Sequence, residues 1–376
     1  MRRAVVEPRL GWQRIVESYG FEHHSVPSGG APGAYWNEAA YYELTAEEVD
    51  RIERATNQLE GMCLELVEAV VNDNLFDRLH ISPYAADLVR RSWERDERGL
   101  YGRFDFSLGA DGSLKMLEYN ADTPTSLFEA AVAQWQWLQD RFPNSDQFNS
   151  LHERLITAWA ERTGRIHIAC LEDSESVVTT AYLEDTARQA GLETCFLTMA
   201  DIGWDGKRLV DLQGRPIDAL FKLYPWEWLL TDRFGEHLHT CGTNFIEPAW
   251  KLVLSNKAVL PLLHEMFPSH EHLLGASDNP PYGVDSYVRK PVLGREGSNV
   301  EVVVAGQAVQ KTSGDYDWKY IYQEHHETVT FDDGGRPVTP IIGSWVVNGE
   351  SAGVGIREDF GVTTNNARFV PHLIVE

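Results

Sequence analysis

Residues 101–124 read YGRFDFSLGADGSLKMLEYNADTP. The stretch alternates with a period of two, which marks strands whose two faces differ. From Tyr101 to Leu108, the side chains of Phe104, Phe106 and Leu108 point one way and those of Arg103, Asp105 and Ser107 the other. Gly109-Ala110-Asp111-Gly112 is a turn signal. The return strand, Leu114 to Tyr119, alternates again and sets Glu118 and Asn120 on one side. Pairing Leu108 with Ser113 predicts a hairpin whose polar sets share a face. Two carboxylates, an amide and a guanidinium then converge. Such an oxygen-rich set suits Mg²⁺, which takes one or two carboxylates and completes its octahedron with phosphate oxygens and water. Arg103 suits a negatively charged group on the same ion. The alternative is a solvated sheet face with cross-strand ion pairs. The polar loop Ala121–Ser126, followed by a helical run from Leu127 that contains Trp135 and Trp137, favours a ligand-binding edge.

Working outward, residues 165–250 have the texture of a small parallel α/β subdomain. Ile166–Cys170 is a buried-strand signal, followed by Glu172-Asp173-Ser174 and a helix from about Val177 to Ala190, closed by Gly191. Strands at Glu193–Leu197 and Ala219–Leu223 complete a βαβ pattern. No glycine-rich loop follows the first strand, which excludes a dinucleotide-binding unit. Glu172 and Asp173, at a strand end, are candidates to hold an ammonium group.

Residues 255–335 carry a second constellation. Lys257 lies early in a helix over Asn256–Met266, and Lys290 closes a strand over Ser286–Lys290. Gly294-Arg295-Glu296-Gly297-Ser298-Asn299 follows, then a strand over Val300–Val304. Strand, glycine loop and strand describe either a plain hairpin or a flap whose backbone N–H groups fold over phosphates, with Lys290 in reach. Tyr320–Glu324 is a strand that ends in Gln323 and Glu324, a seat for an adenine. Ile341–Val347 and Ala352–Ile356 flank Asn348-Gly349, a type I′ hairpin signal. That hairpin delivers Arg357-Glu358-Asp359, either a solvated run or an anion clamp from Arg357. At the other end, residues 1–44 read as irregular and aromatic, with a turn-rich Pro27–Gly33. Thr45 and Glu48 form a capping box before a helix whose apolar face includes Val49, Ile52, Leu59 and Leu66. Tyr84–Arg98 and Ser150–Arg162 read as further helices.

A chain of 376 residues with 12 tryptophans is long enough for two or three domains around a large core. It shows no apolar run that would span a bilayer and no signal peptide. Four cysteines without CxxC spacing make a reduced, cytoplasmic setting the expectation. A net charge of −24 argues against nucleic acid and permits a cationic substrate. His237, His239 and Cys241 alternate like metal ligands but lack a fourth partner nearby. Oligomeric state is left open.

RFDF, LEYNADTPTSLFEAA, FKLYPWEW, SNKAVLP, VRKPVLGREGSN, IYQE and GIRED occur in order between about residues 100 and 360. Together they resemble the synthetase half of the glutathionylspermidine synthase family, and the chain looks like its stand-alone acid–amine ligases. The resemblance implies a mixed α/β (α+β) chain with a circularly permuted ATP-grasp fold and an inserted parallel subdomain. The core would comprise residues 1–164 and 336–376, the substrate side 165–250 and the ATP lid 251–335. It implies a ligase that joins an acid to an amine, a polyamine above all, through an acyl phosphate, using ATP as co-substrate and a pair of Mg²⁺ ions. Asp105, Glu118 and Asn120 would hold metal, and Arg103 would stabilise the transition state, with Arg357 beside it. Lys257, Lys290, Gly294, Gly297, Ser298, Gln323 and Glu324 would bind ATP. Thr123 falls at the acid-binding position, and Leu223 stands where bifunctional members carry a polar residue. No N-terminal cysteine amidase domain fits the first hundred residues. The alternatives are a glutathionylspermidine synthetase proper, a non-catalytic nucleotide-binding homologue, and a kinase that stops at the acyl phosphate.

Overall fold

The computed structural model describes residues 1–25, 35–295, 297–316, 318–361 and 367–376. The turn-rich Pro27–Gly33 and Glu296 of the glycine loop lie outside them. The chain is a mixed α/β protein built on several sheets. The hairpin at its centre pairs Tyr101–Leu108 with Leu114–Asn120. It joins an antiparallel sheet in which Tyr101–Leu108 is followed by Pro337–Val347, Glu350–Asp359 and Arg368–Val370, with Phe331–Asp332 on the flank of Pro337–Val347.

The register of this hairpin differs from the expected one. Leu108 pairs with Leu114 rather than Ser113, and Phe106 pairs with Met116. A regular ladder from there would set Leu117 opposite Asp105 and turn Glu118 into the core, since one residue of slip exchanges the faces. A bulge prevents this. The register shifts between Phe106 and Asp105, so Asp105 faces Glu118 and Arg103 faces Asn120. The apolar face, with Phe104, Phe106 and Met116 fully buried, packs in one core with Leu59, Leu66 and Val70 of the helix Ala46–Asn72. Thr45 and Glu48 make the capping box at its start.

The parallel sheet has the order Asn244–Ile246, Ala219–Leu223, Arg165–Cys170, Glu193–Thr198, with the helix Ser174–Gln189 crossing between its last two strands. The third sheet is antiparallel, in the order Ala276–Ser277, Tyr320–Glu324, Tyr287–Pro291, Glu301–Val304, Gln307–Lys311. Lys257 precedes its helix, which starts at Val259. The Lys257 N–H donates to Val292 O at 2.9 Å, tying that turn to the third sheet.

The described parts of residues 1–44 are more ordered than their sequence suggests. Arg2–Val5 pairs with Ala40–Thr45, which pairs in turn with the C-terminal strand His372–Val375. These partners lie at opposite ends of the chain, where local periodicity has no reach. Among the described residues no helix is long and apolar enough to cross a membrane.

Candidate active site

The cleft between the antiparallel sheet and the third sheet has a volume of about 550 Å³. Its lining includes Arg103, Asp105, Glu118, Asn120, Thr123, Lys257, Lys290, Gly294, Gly297, Ser298, Gln323, Glu324 and Arg357. These come from three stretches far apart in sequence, and the hairpin's polar face is no solvated surface. Arg103 and Asp105 are only 5% and 4% exposed.

At the centre, Arg103 Nε donates to Asp105 Oδ1 at 2.7 Å and Arg357 Nη2 to Asp105 Oδ2 at 2.8 Å. Asn120 Nδ2 lies 3.3 Å from both Asp105 Oδ2 and Glu118 Oε1. Lys257 Nζ pairs with Glu118 Oε2 at 2.9 Å and donates to Gly294 O at 2.6 Å. Lys290 Nζ donates to Gln323 Oε1 at 2.6 Å and to Leu117 O at 3.0 Å. The bulge that aims Glu118 therefore also presents the carbonyl that seats Lys290. Burial alone would raise the Glu118 carboxyl, but Lys257 and Lys290 outweigh it and hold it down to about 2. Burial brings Lys290 down to about 8 despite the attraction of Glu118. Asp105 and Glu118 offer carboxylate oxygens from adjacent strands at one point, and a flip of the Asn120 amide, whose Nδ2 faces them here, would add a third. That donor set fits a hard divalent cation, with the amide oxygen of Asn120 turned inward.

Three candidates lie elsewhere. Glu172 is exposed, and Asp173 caps the helix Ser174–Gln189 by accepting from Ser176 N at 2.9 Å. Leu223 is buried in the core. A third acidic residue, Glu175, lies in the first turn of that helix. It lies near Thr125, which lines the cleft, and burial together with Glu129 raises its carboxyl. Glu129 is 1% exposed, pairs with His23 Nε2 across 3.0 Å, and leaves Oε2 without a partner among the described residues. Asp173 followed by a helix is itself an N-cap signature, and reading it so would have passed the role to Glu175.

Arg295, inside the glycine loop, was also missed. Its Nη1 donates to Thr123 Oγ1 at 2.8 Å and its Nη2 to Glu227 Oε1 at 2.7 Å. It thereby fastens the loop to both the Ala121–Ser126 segment and the Tyr224–Trp228 segment. Behind Thr123, Asp122 and Lys222 are both fully buried and paired at 2.7 Å, and Asp122 also accepts from Trp226 N at 2.9 Å. Of the set-aside metal pattern, His237 stacks on Trp204 and buried Cys241 donates to Leu238 O, so its side chains are spoken for.

Residues 3–375 match the family described as glutathionylspermidine synthase preATP-grasp. A provisionally named acid–amine ligase of Haemophilus influenzae is 42% identical over 379 residues, 95% of each chain. A trypanothione synthetase of Crithidia fasciculata is 29% identical over 86% of this chain and 55% of its own. A bifunctional glutathionylspermidine synthetase/amidase of Escherichia coli is 30% identical over 76% of this chain and 51% of its own. The alignments thus span about half of each synthetase and nearly all of the Haemophilus protein. A match that runs from the third residue to the last but one leaves no part of the fold outside it: the chain belongs to the glutathionylspermidine synthase preATP-grasp family.

Proposed function

We propose that this chain is an ATP-dependent ligase that forms an amide between a peptide-like acid and an amine, with a polyamine as acceptor, on a circularly permuted ATP-grasp fold. One observation carries the reading. Asp105 and Glu118 face each other across a bulged register, with Asn120 beside them and four cations, Arg103, Arg357, Lys257 and Lys290, lining the same cleft. A cleft of that make-up suits a nucleotide triphosphate with its metal better than any uncharged ligand.

Mg²⁺ held by Asp105, Glu118 and Asn120 would offset the charge that crowds together during phosphoryl transfer. Lys257 and Lys290 exchange their present partners, Glu118 and Gln323, for phosphate oxygens. Gln323 and Glu324, on the strand beside Lys290, would meet the adenine. Arg103 and Arg357 bracket the transferred phosphoryl group. A carboxylate oxygen of the acid attacks the γ-phosphorus, and the bond to the β-phosphate oxygen breaks to release ADP. The amine nitrogen then attacks the carbonyl carbon, and inorganic phosphate leaves with the C–O bond pair. The attacking nitrogen gives up one proton, for which Glu175, near Thr125, is a candidate acceptor. The acid lies by Thr123 and Arg295, and the glycine loop excludes water from the acyl phosphate.

The test is transfer of ¹⁸O from a labelled acid carboxylate to inorganic phosphate, run with glutathione as acid and spermidine as amine, then with a wider peptide panel. Label in phosphate, with ADP release that needs both substrates, supports the ligase. ADP release with acid alone and a hydroxylamine-trapped product would identify a kinase instead. ATP turnover with no label transfer from any acid overturns the reading.

A further inference from the structure

Lys222 and Asp122 form an ion pair in which both side chains are fully buried. Lys222 lies in the parallel-sheet strand Ala219–Leu223, and Asp122 in the segment that leaves the central hairpin after Asn120. Taking two charges out of water costs about as much as their attraction returns, so a pair of this kind is a weak source of stability. Burial lowers the Lys222 ammonium below its ordinary value even with Asp122 beside it. An apolar pair of similar volume would serve the core as well. What the charged pair does instead follows from its remaining bonds.

Lys222 Nζ donates to Asp122 Oδ1 at 2.7 Å and to Tyr224 O at 3.0 Å, and stands 4.6 Å from the centre of the Trp226 ring. The second carboxylate oxygen, Asp122 Oδ2, accepts from Trp226 N at 2.9 Å. One carboxylate thereby joins two segments a hundred residues apart, and the positions it joins are particular. The residue after Asp122 is Thr123, whose hydroxyl accepts from Arg295 Nη1 at 2.8 Å. The residue after Trp226 is Glu227, whose carboxylate accepts from Arg295 Nη2 at 2.7 Å. Both anchors of Arg295 are therefore the chain neighbours of residues linked by a single bond. The far half of the Ala121–Ser126 segment is held separately, by Arg103 Nη1 on Thr125 O and by Tyr35 Oη against Ser126 Oγ. Asp122 restrains the half that carries Thr123.

We propose that Asp122, neutralised by Lys222, is a positioning residue: it sets the spacing of Thr123 and Glu227 and so seats Arg295 and the glycine loop. Asp122 stands behind the cleft wall and acts only through these neighbours. Consecutive Cα atoms lie 3.8 Å apart across a rigid peptide unit, so a shift of Asp122 against Trp226 passes directly to Thr123 and Glu227. The tie itself does not depend on the ligase reading. Its consequence for the acid does, because that reading places the acid beside Thr123 and Arg295.

Two double variants of the full chain separate positioning from packing. Asp122→Leu with Lys222→Met removes both charges and the acceptor for Trp226 N. Asp122→Asn with Lys222→Met removes both charges and keeps an acceptor. Both should melt close to wild type, since the charged pair contributes little. Proteinase K should cut between residues 294 and 299 about tenfold faster in the Leu double variant, and within about twofold of wild type in the Asn one. With glutathione as acid, the Leu double variant alone should raise KM about tenfold, with a smaller change in kcat. In an Arg295→Ala background it should add nothing to the cleavage rate, because the contact it supports is already gone. Cleavage of the folded Leu variant at the wild-type rate, equal acceleration in both double variants, or additive acceleration with Arg295→Ala overturns the proposal. Faster cleavage with an unaltered KM upholds the positioning and counts against the placing of the acid, so the two readings fail separately.

Discussion

Asp105 is held by two arginines and an amide at once, and Glu118 by a lysine, so under the proposed reading neither carboxylate would take metal until those cations turn to phosphate. This exchange makes the two carboxylates testable one at a time. Glu118→Gln keeps the shape and removes the charge. Mg²⁺-dependent ADP release should fall by about 10³-fold, with an unchanged circular dichroism spectrum. Near-normal turnover at ordinary Mg²⁺ would show that Glu118 is no ligand. Arg295→Ala removes the contacts to Thr123 and Glu227. It should raise the KM for the acid about tenfold with a smaller change in kcat, since the tie positions substrate more than it stabilises transferred charge. At this scale the sequence was most readable where alternation fixed a face. Arg103 and Asp105 were placed by a period of two, whereas Glu118 and Asn120 reach the same face through the bulge. It was least readable where a partner came from elsewhere. Nothing local to Glu129 or His23 shows that they meet, and Arg295 reads as loop filler until Glu227 is seen beside it.

Elements were legible as types more than as registers. The helices, the parallel strands and the Asn348-Gly349 turn, with φ of 50° and 80°, follow from caps, periodicity and turn chemistry. The bulge at Leu117 does not, because either register buries apolar residues and only the whole sheet selects one. The glycine loop is fastened to other elements through Arg295 and through Lys257 on Gly294 O. Limited proteolysis between residues 294 and 299 should therefore be slow in wild type, faster by about tenfold in Arg295→Ala, and slowed again by ATP with Mg²⁺. Cleavage unaffected by the substitution would show that the tie does not restrain the loop. The C-terminal strand carries its own test. His372 Nε2 accepts from Phe148 N at 3.2 Å, so the proton sits on Nδ1, which donates to Gln134 Oε1 at 2.9 Å. Burial lowers its pKa to about 3. Below the unfolded value of about 6.5 the unfolded chain takes up a proton that the folded one refuses. Stability from this group is thus complete above pH 6.5 and is lost as pH falls toward 3, by at most about 1.4 kcal/mol per pH unit. His372→Gln should flatten the difference in urea midpoint between pH 7 and pH 5. A slope equal to that of wild type would mean the imidazole accepts its proton while folded.

At the scale of the whole molecule, the two ends of the chain close on each other over a buried charge. Glu358, fully buried, accepts from Arg3 Nε at 2.8 Å, Arg368 Nη2 at 2.6 Å, Tyr42 Oη at 2.7 Å and Asn37 Nδ2 at 3.0 Å. The run Arg357-Glu358-Asp359 thus divides by alternation, with Arg357 to the cleft and Glu358 to this hub. Arg3→Ala should cost about 3 kcal/mol in urea unfolding, because it strips one partner from a buried carboxylate. A loss below about 1 kcal/mol would mean that Arg368 alone satisfies it. The rest of the molecule is strongly acidic, at −24 overall, and such a field draws cations toward it before any contact is made. That gives the polyamine assignment a test apart from the site residues. Spermidine is multiply charged at neutral pH, whereas hydroxylamine is neutral and attacks the same acyl phosphate. If a cationic acceptor is the true one, kcat/KM for spermidine should fall by about tenfold between low salt and an ionic strength near 0.5 M, where the Debye length shrinks to a few ångströms. The same quantity for hydroxylamine should stay nearly flat, which separates screening of the acceptor from any effect of salt on ATP or on the fold. Parallel declines for both would place the salt effect on the nucleotide step, and equal efficiency of the two acceptors at low salt would reject the polyamine while leaving the amide-forming chemistry untouched.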